Sequence, residues 1–365
     1  MHFNALKLWT LLSLLPYVGC GQHRESLDKM IGQMILIGLP TNVVDTSSTF
    51  YKDIHAGYAG GITLYERHLT PTHAAGNLRT LISAYQQAAP TPLFVAITQE
   101  GGQVNRLKPK YGFPPMPSAQ YLGTLNHPDS TRYYAEQMAS TLSSLGINVN
   151  FAPVVDVYMP TNPVLGSRER TFSAHTDIIT RHAELTIRAH DKYKVHTVLK
   201  HFPGHGSSTE DSHLGVTDVS KTWQRNELAP YRTLLNKGLV HSIMTAHIVN
   251  AQLDASKLPA TLSRPVMTDL LRKDMKFEGV IFSDDMHMKA ISAEYDLKEA
   301  IELAINAGVD VLLFSGNIGG TASTSAGELV AIIKGLVKEG KVSEERIRDS
   351  YHRILKMKTR WMQEK

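Results

Sequence analysis

Two short segments of the chain carry side chains that could do chemistry together. The first runs Lys200-His201-Phe202-Pro203-Gly204-His205-Gly206 and, after four more residues, Asp211-Ser212-His213. Proline and two glycines in seven residues make a tight, irregular loop. Asp211 and His213 are two apart, so on extended backbone they lie on the same side. The carboxylate can then hold one ring nitrogen and raise the basicity of the other. That is an acid–base dyad. The second segment is Phe282-Ser283-Asp284-Asp285. A carboxylate there can be a nucleophile, a general base or a metal ligand. Neighbouring residues on a strand point to opposite sides, so one Asp should face a pocket and the other cap a helix beginning near Met286.

Other chemistries fit less well. His201, His205, Asp211 and His213 are all plausible metal ligands, but their spacing matches no metal-binding pattern. The expectation is no metal and no cofactor. Each histidine alone could equally satisfy a nearby backbone group. A serine hydrolase would need a G-x-S-x-G elbow, and the chain has none.

The elements that must position these residues follow from hydrophobic pattern. Short apolar runs recur at 33–38, 60–66, 93–100, 149–157, 196–202, 241–249, 279–285 and 309–316. They are near-continuous rather than alternating, which suits parallel strands buried on both faces. Amphipathic stretches of helical period lie between them, at 71–89, 128–144, 175–193, 222–237, 264–275, 294–307 and 325–339. A last one, 343–362, opens with Ser343 as N-cap and Glu344 and Glu345 in its first turn. Strand and helix alternate, so the class is α/β. Eight strands over this length predict a single (β/α)8 TIM-type barrel. An open doubly wound sheet would want a Gly-rich turn after its first strand, and LPTNVVD follows Gly38 instead. Several runs end in polar residues: Thr98-Gln99-Glu100, Asp156, Lys200-His201, His247 and Asp284-Asp285. In a barrel those ends form the active-site face. Burying so many ionisable groups without use would be costly, so the clustering points to an enzyme.

Composition narrows the setting. Of 365 residues 42% are hydrophobic and 20% charged, with a net charge of only +4 and no Lys/Arg-rich block. No footprint for nucleic acid is present. The oligomeric state is not legible. The single cysteine, Cys20, excludes an intrachain disulfide. It follows the apolar stretch LWTLLSLLPYVG, which is too short to span a bilayer and reads as a signal-peptide core over 1–20. Cys20 after Val18-Gly19 resembles a bacterial lipobox, although Tyr17 departs from the usual leucine. Residues 21–27 would be a short tether and 28–365 the barrel domain. The expectation is an exported protein held to a membrane only through a lipid on Cys20. An ordinary signal peptide is the alternative.

The residues also carry a family resemblance. KHFPGHG, four residues, then DSH resembles the signature of glycoside hydrolase family 3, in its β-N-acetylglucosaminidase branch. LLRKDMKFEGVIFSDDM resembles the family's nucleophile segment, ITQEGGQVNRL its DQEGG-x-V-x-R segment, and FAPVVDV with NPVLGSRERTF the next block. The resemblance covers about 28–360 and implies a retaining β-N-acetylhexosaminidase working through a covalent glycosyl-enzyme. It implies Asp284 as nucleophile and His213 as acid/base, with Asp211 as its partner. It implies Lys200, His201, Arg106 and Arg170 as sugar contacts, with Arg168 an alternative to Arg170. Relatives carry Asp where this chain has Thr98, so selection at the sugar's 4- or 6-position should differ, and GalNAc or a modified GlcNAc could be accepted. The substrates implied are peptidoglycan fragments, chitin oligosaccharides or glycan ends. A glycoside phosphorylase, a β-glucosidase of the same fold and a non-catalytic sugar-binding lipoprotein are the competing readings.

Overall fold

The computed structural model describes residues 25–316 and 324–360. The expected signal segment with Cys20, and most of the tether, lie outside the described residues. The strands are β1 (Ile35–Gly38), β2 (Gly61–Leu64), β3 (Phe94–Ile97), β4 (Val149–Asn150), β5 (His196–Thr197) and β6 (Leu199–Phe202). They continue with β7 (Thr217–Asp218), β8 (Ser242–Thr245), β9 (Ile248–Val249), β10 (Val280–Asp285) and β11 (Val311–Phe314). Nine of them form one parallel sheet in the order β5-β4-β3-β2-β1-β11-β10-β8-β6. Its two ends, β5 and β6, are halves of one extended segment parted only by Val198. The segment pairs β4 through His196 and Thr197, and β8 through Leu199 and Phe202. The sheet therefore returns on itself, and the fold is the (β/α)8 barrel that the alternation predicts.

The strands are buried throughout β1 to β6 except at Gly38, as a parallel sheet covered by helices requires. Phe94, Phe151 and Phe282 meet inside the barrel, with ring centroids 5.8 and 5.9 Å apart. The expected helices appear as Ala74–Ala88, Pro128–Leu145, Thr176–Lys192, Leu297–Ala307 and Ala326–Lys338 among others. The last, Glu344–Thr359, has Ser343 at its N-cap, whose hydroxyl accepts the Arg346 N–H at 3.1 Å. Helices Leu27–Gln33, Thr49–Ala56 and Ala119–Leu125 were not expected.

Two expected strands are shorter than their apolar runs. The fourth, read over 149–157, keeps ladder pairing only at Val149–Asn150. Pro153 has no N–H for a ladder, and beyond it only Val154 bridges to Lys200. The sixth, read over 241–249, breaks after Thr245, and Ile248–Val249 leaves the barrel to pair β7.

Candidate active site

The C-terminal ends of the barrel strands surround a cavity of about 180 Å³. Thr98, Arg106, Arg170, Lys200, His201, His213 and Asp284 all border it. These residues span 98 to 284 in sequence, and the barrel brings them to one mouth. Asp211 is not on the wall. It stands behind His213, with its Oδ1 2.7 Å from the ring Nδ1 and 2.9 Å from the His213 backbone nitrogen. That arrangement directs Nε2 away from the carboxylate. Burial opposes ionisation of Asp211, but its bonds to His213 and the nearby Arg168 hold it below the usual carboxylate range. The His213 side chain is 50% exposed, so solvent can reach it.

Asp284 lies at the end of β10. Its N–H donates to Thr245 Oγ1 at 3.3 Å, and its Oδ1 accepts the Asp285 N–H at 2.8 Å. Burial alone would raise its carboxyl. The charges of His247 and His201, the Asp285 N–H and His213 outweigh burial and keep it ionised. Both aspartates border the cavity, contrary to the expectation that only one would. They differ in what they hold. Asp285 accepts the hydroxyl and N–H of Ser315 and the N–H of His287, so it fixes the turn after the strand rather than capping a helix at Met286. His247 Nε2 donates to the Asp285 carbonyl at 3.0 Å, bracing the same turn from β8's side.

The most heavily paired residue of the site is one to which the sequence reading gave no role. Glu100, with only 5% of its side chain exposed, accepts Arg170 Nε and Nη2, both at 2.8 Å, and Lys200 Nζ at 2.7 Å. Burial would raise its carboxyl, but the two cations hold it well below the ordinary range. One carboxylate cannot offset the burial of two cations: burial, with Arg170 beside it, lowers the Lys200 ammonium, whereas the Glu100 charge keeps Arg170 raised. Arg168 also borders the cavity but is exposed and lacks this anchor.

Asp156 does for His201 what Glu100 does for Lys200. Its Oδ2 lies 2.7 Å from His201 Nδ1, and it accepts the N–H of His201 at 3.1 Å and of His205 at 2.7 Å. His201 therefore carries its proton on Nδ1 and presents Nε2 to the cavity. Burial opposes ionisation of Asp156, but His201 and His205 keep it below the usual range. Glu100 and Asp156 each stand at the polar end of an expected strand and within the segments ITQEGGQVNRL and FAPVVDV, but neither had a role assigned from sequence.

The loop after β6 is built to hold its shape. His205 Nδ1 lies 2.7 Å from Ser208 Oγ and Nε2 lies 3.1 Å from Ser212 Oγ, so the ring ties the loop together. Burial, with His201 nearby, lowers it to about 4, and it stays neutral. Glu227 accepts the Gly206 N–H at 3.1 Å from beneath, and Trp223 Nε1 donates to the Pro203 carbonyl at 3.2 Å. Gly204 has φ +119, and a Cβ there would stand 2.7 Å from the Glu227 Cβ. On the opposite wall, Gln99 Oε1 accepts the N–H groups of Arg106 at 2.8 Å and Leu107 at 3.2 Å. This shapes the loop that delivers Arg106. Among the described residues no group of three or more His, Cys, Asp or Glu side chains is arranged to hold a metal ion.

Comparison with known proteins follows the same lines. The model of the glycosyl hydrolase family 3 N terminal domain matches residues 26–357. The β-hexosaminidase A of Pseudoalteromonas piscicida is 33% identical over 326 residues, covering 82% of this chain and 53% of that protein. The β-hexosaminidase of Tolumonas auensis is 32% identical over 280 residues, covering 76% and 79%. A family 3 β-N-acetylglucosaminidase structure from Paenibacillus sp. superposes with a TM-score of 0.84 at 32% identity, covering 94% of this chain and 64% of that one. The chain thus spans about half the length of the Pseudoalteromonas protein.

Proposed function

The chain belongs to glycosyl hydrolase family 3, and from that premise we propose that it is a retaining exo-β-N-acetylhexosaminidase. The observation that carries the reading is one cavity bordered by an ionised Asp284 and by His213 with its Asp211 partner. A volume of about 180 Å³ has the scale of a single hexosamine, which suits removal of a terminal sugar.

The two steps follow from charge. Asp284 attacks the anomeric carbon as the bond to the leaving oxygen breaks, giving a covalent glycosyl-Asp284. His213 enters doubly protonated and passes its Nε2 proton to that oxygen. It is left as a neutral ring whose Nδ1–H still bonds Asp211. In the second step Nε2 takes a proton from water, the resulting hydroxide oxygen attacks the anomeric carbon, and Asp284 is released as a carboxylate. Lys200, His201, Arg106 and Arg170 face the sugar ring, held from behind by Glu100, Asp156 and the Gln99 loop. Peptidoglycan fragments, chitin oligosaccharides and glycan ends bearing β-linked GlcNAc or GalNAc are the substrates this site would serve. The names of the similar β-hexosaminidases support the hexosamine.

A panel of 4-nitrophenyl β-glycosides tests the reading. Turnover should be confined to the N-acetylhexosaminides, with the β-anomer of the sugar released first. Preference for the glucoside, or acceleration by inorganic phosphate with a sugar phosphate as product, would overturn it. The proposed setting is outside the cytoplasm, with the barrel tethered by a lipid on Cys20. Cys20→Ser should then move the protein from the membrane fraction to the soluble one.

A further inference from the structure

Opposite Asp284 the cavity is bordered by Thr98 and Arg106. Asp284 ends the seventh strand of the barrel, and Thr98 and the Arg106 loop follow the third. In an eight-strand ring the third and seventh positions face each other across the mouth. In a pyranose, C4 lies opposite C1, and C6 hangs beside it on C5. With C1 over Asp284, the edge bearing C4 and C6 points at Thr98 and Arg106.

Among the described residues Arg106 has no ion pair. Arg170 and Lys200 share Glu100. The Arg106 Nε is buried and has no hydrogen-bond partner, and no carboxylate pairs with its guanidinium among the described residues. Its neighbour on the cavity wall, Thr98, is neutral and offers a hydroxyl. Arg106 borders the cavity, and an arginine fork is the group best shaped for a planar or tetrahedral oxyanion. Gln99 fixes the backbone of the loop that carries Arg106.

We infer that the Thr98–Arg106 corner binds an anionic substituent, a sulfate or phosphate ester, on C4 or C6 of the terminal hexosamine. The ester oxygens would take the Arg106 donors and the Thr98 hydroxyl. A carboxylate at 98 would instead neutralise Arg106 and repel such a group. The inference rests on the hexosaminidase reading for the placement of C1.

Calorimetric binding of GlcNAc, GlcNAc 6-sulfate, GlcNAc 6-phosphate and GalNAc 4-sulfate tests it without any need for turnover. At least one charged sugar should bind about tenfold more tightly than GlcNAc, the worth of a hydrogen-bonded ionic contact. Thr98→Asp should reverse the order, and Arg106→Gln should remove the difference. Equal or weaker binding of all three charged sugars, or no binding of any, overturns the inference. Turnover of 4-nitrophenyl β-GlcNAc and its 6-sulfate separates the two readings. If neither glycoside is cleaved but the charged sugar binds tightly, hydrolase chemistry fails and the anion site stands. Cleavage of the neutral glycoside without preference for a charged sugar in binding leaves hydrolysis standing and sinks the anion site.

Discussion

Two buried carboxylates, one at each end of the barrel, gather cations around them and leave those cations in different states. At the N-terminal end, Asp310 precedes β11 and meets Arg272 at 2.5 Å and Arg346 and Arg353 at 3.3 Å. Carbonyls take the surplus donors of two of the three: Arg272 reaches Phe277 and Gly279, and Arg346 reaches Ile305 and Val309, while Arg353 is part-exposed. Ser350 and the Ile281 N–H fill the remaining acceptor sites of Asp310. At the C-terminal end, Glu100 holds Arg170 and Lys200 in a similar way, but those cations border the substrate-sized cavity, and among the described residues Arg106 has no ion pair. A closed ionic cluster locks helices to a barrel. An open one holds charged donors ready for a ligand. The number of ion pairs does not distinguish them; the unused hydrogen-bonding capacity does.

Substitutions at the two ends should therefore separate activity from stability. The largest effect belongs to Asp284→Ala, which should cut kcat by at least ~10⁴-fold while the melting temperature stays near that of the parent. Single-turnover kinetics with a nitrophenyl hexosaminide should show no burst, and added azide should restore nitrophenol release as a glycosyl azide forms. A variant retaining full turnover would remove Asp284 from the reaction. His213→Ala should cost about 10² to 10⁴-fold on a sugar leaving group, the usual worth of acid–base catalysis. The first step should lose far less with nitrophenolate, which departs without a proton. An equal loss on both leaving groups would place His213 elsewhere.

The contrast itself is tested by a pair. Asp310→Asn leaves three arginines around a neutral group and should lower stability by about 3–5 kcal/mol, read from urea denaturation, with KM unchanged. Glu100→Gln should raise KM markedly, because Arg170 and Lys200 lose the charge that aims them. If Asp310→Asn moved KM as Glu100→Gln does, the division between a closed end and an open end would fail.

The smallest effect concerns pH. As the proposed nucleophile Asp284 must be ionised, and its neighbours, the first of them His247, hold its carboxyl below the ordinary value of 3.8 against the effect of burial. Activity is lost when pH falls through that lowered value, so the acid limb of kcat/KM should lie lower than for an ordinary aspartate. His247→Gln removes the first of the neighbours that lower Asp284, so the limb should move up. A profile of kcat/KM against pH reads this directly, and a limb that stays in place would remove His247 as the cause.

Much of this molecule was legible before its structure. Apolar runs of strand length alternating with helical stretches gave the barrel, because strands buried on both faces must be apolar throughout. Polar residues at the ends of those runs marked the active-site face. The Asp211–His213 pair followed from a spacing of two. The ends of strands were read less well: Pro153 ended the fourth early, and the sixth was cut short when Ile248 turned to pair with β7.

The sequence by itself determined which groups exist, Asp284, His213 and a set of cations, and that a barrel would bring them to one mouth. Local pattern suffices for that, since periodicity and turn residues act over a few positions. Only the tertiary structure decided how charge is shared. Glu100 and Asp156 meet their partners 70 and 45 residues away in sequence. Asp284 and Asp285 are chemically identical, and they part only because Ser315 comes from the next strand to occupy one of them. Arg106 and Arg170 read alike as cations, yet among the described residues Arg170 is ion-paired and Arg106 is not. Electrostatic pairing depends on distance in space and on burial, and neither is written in the order of residues.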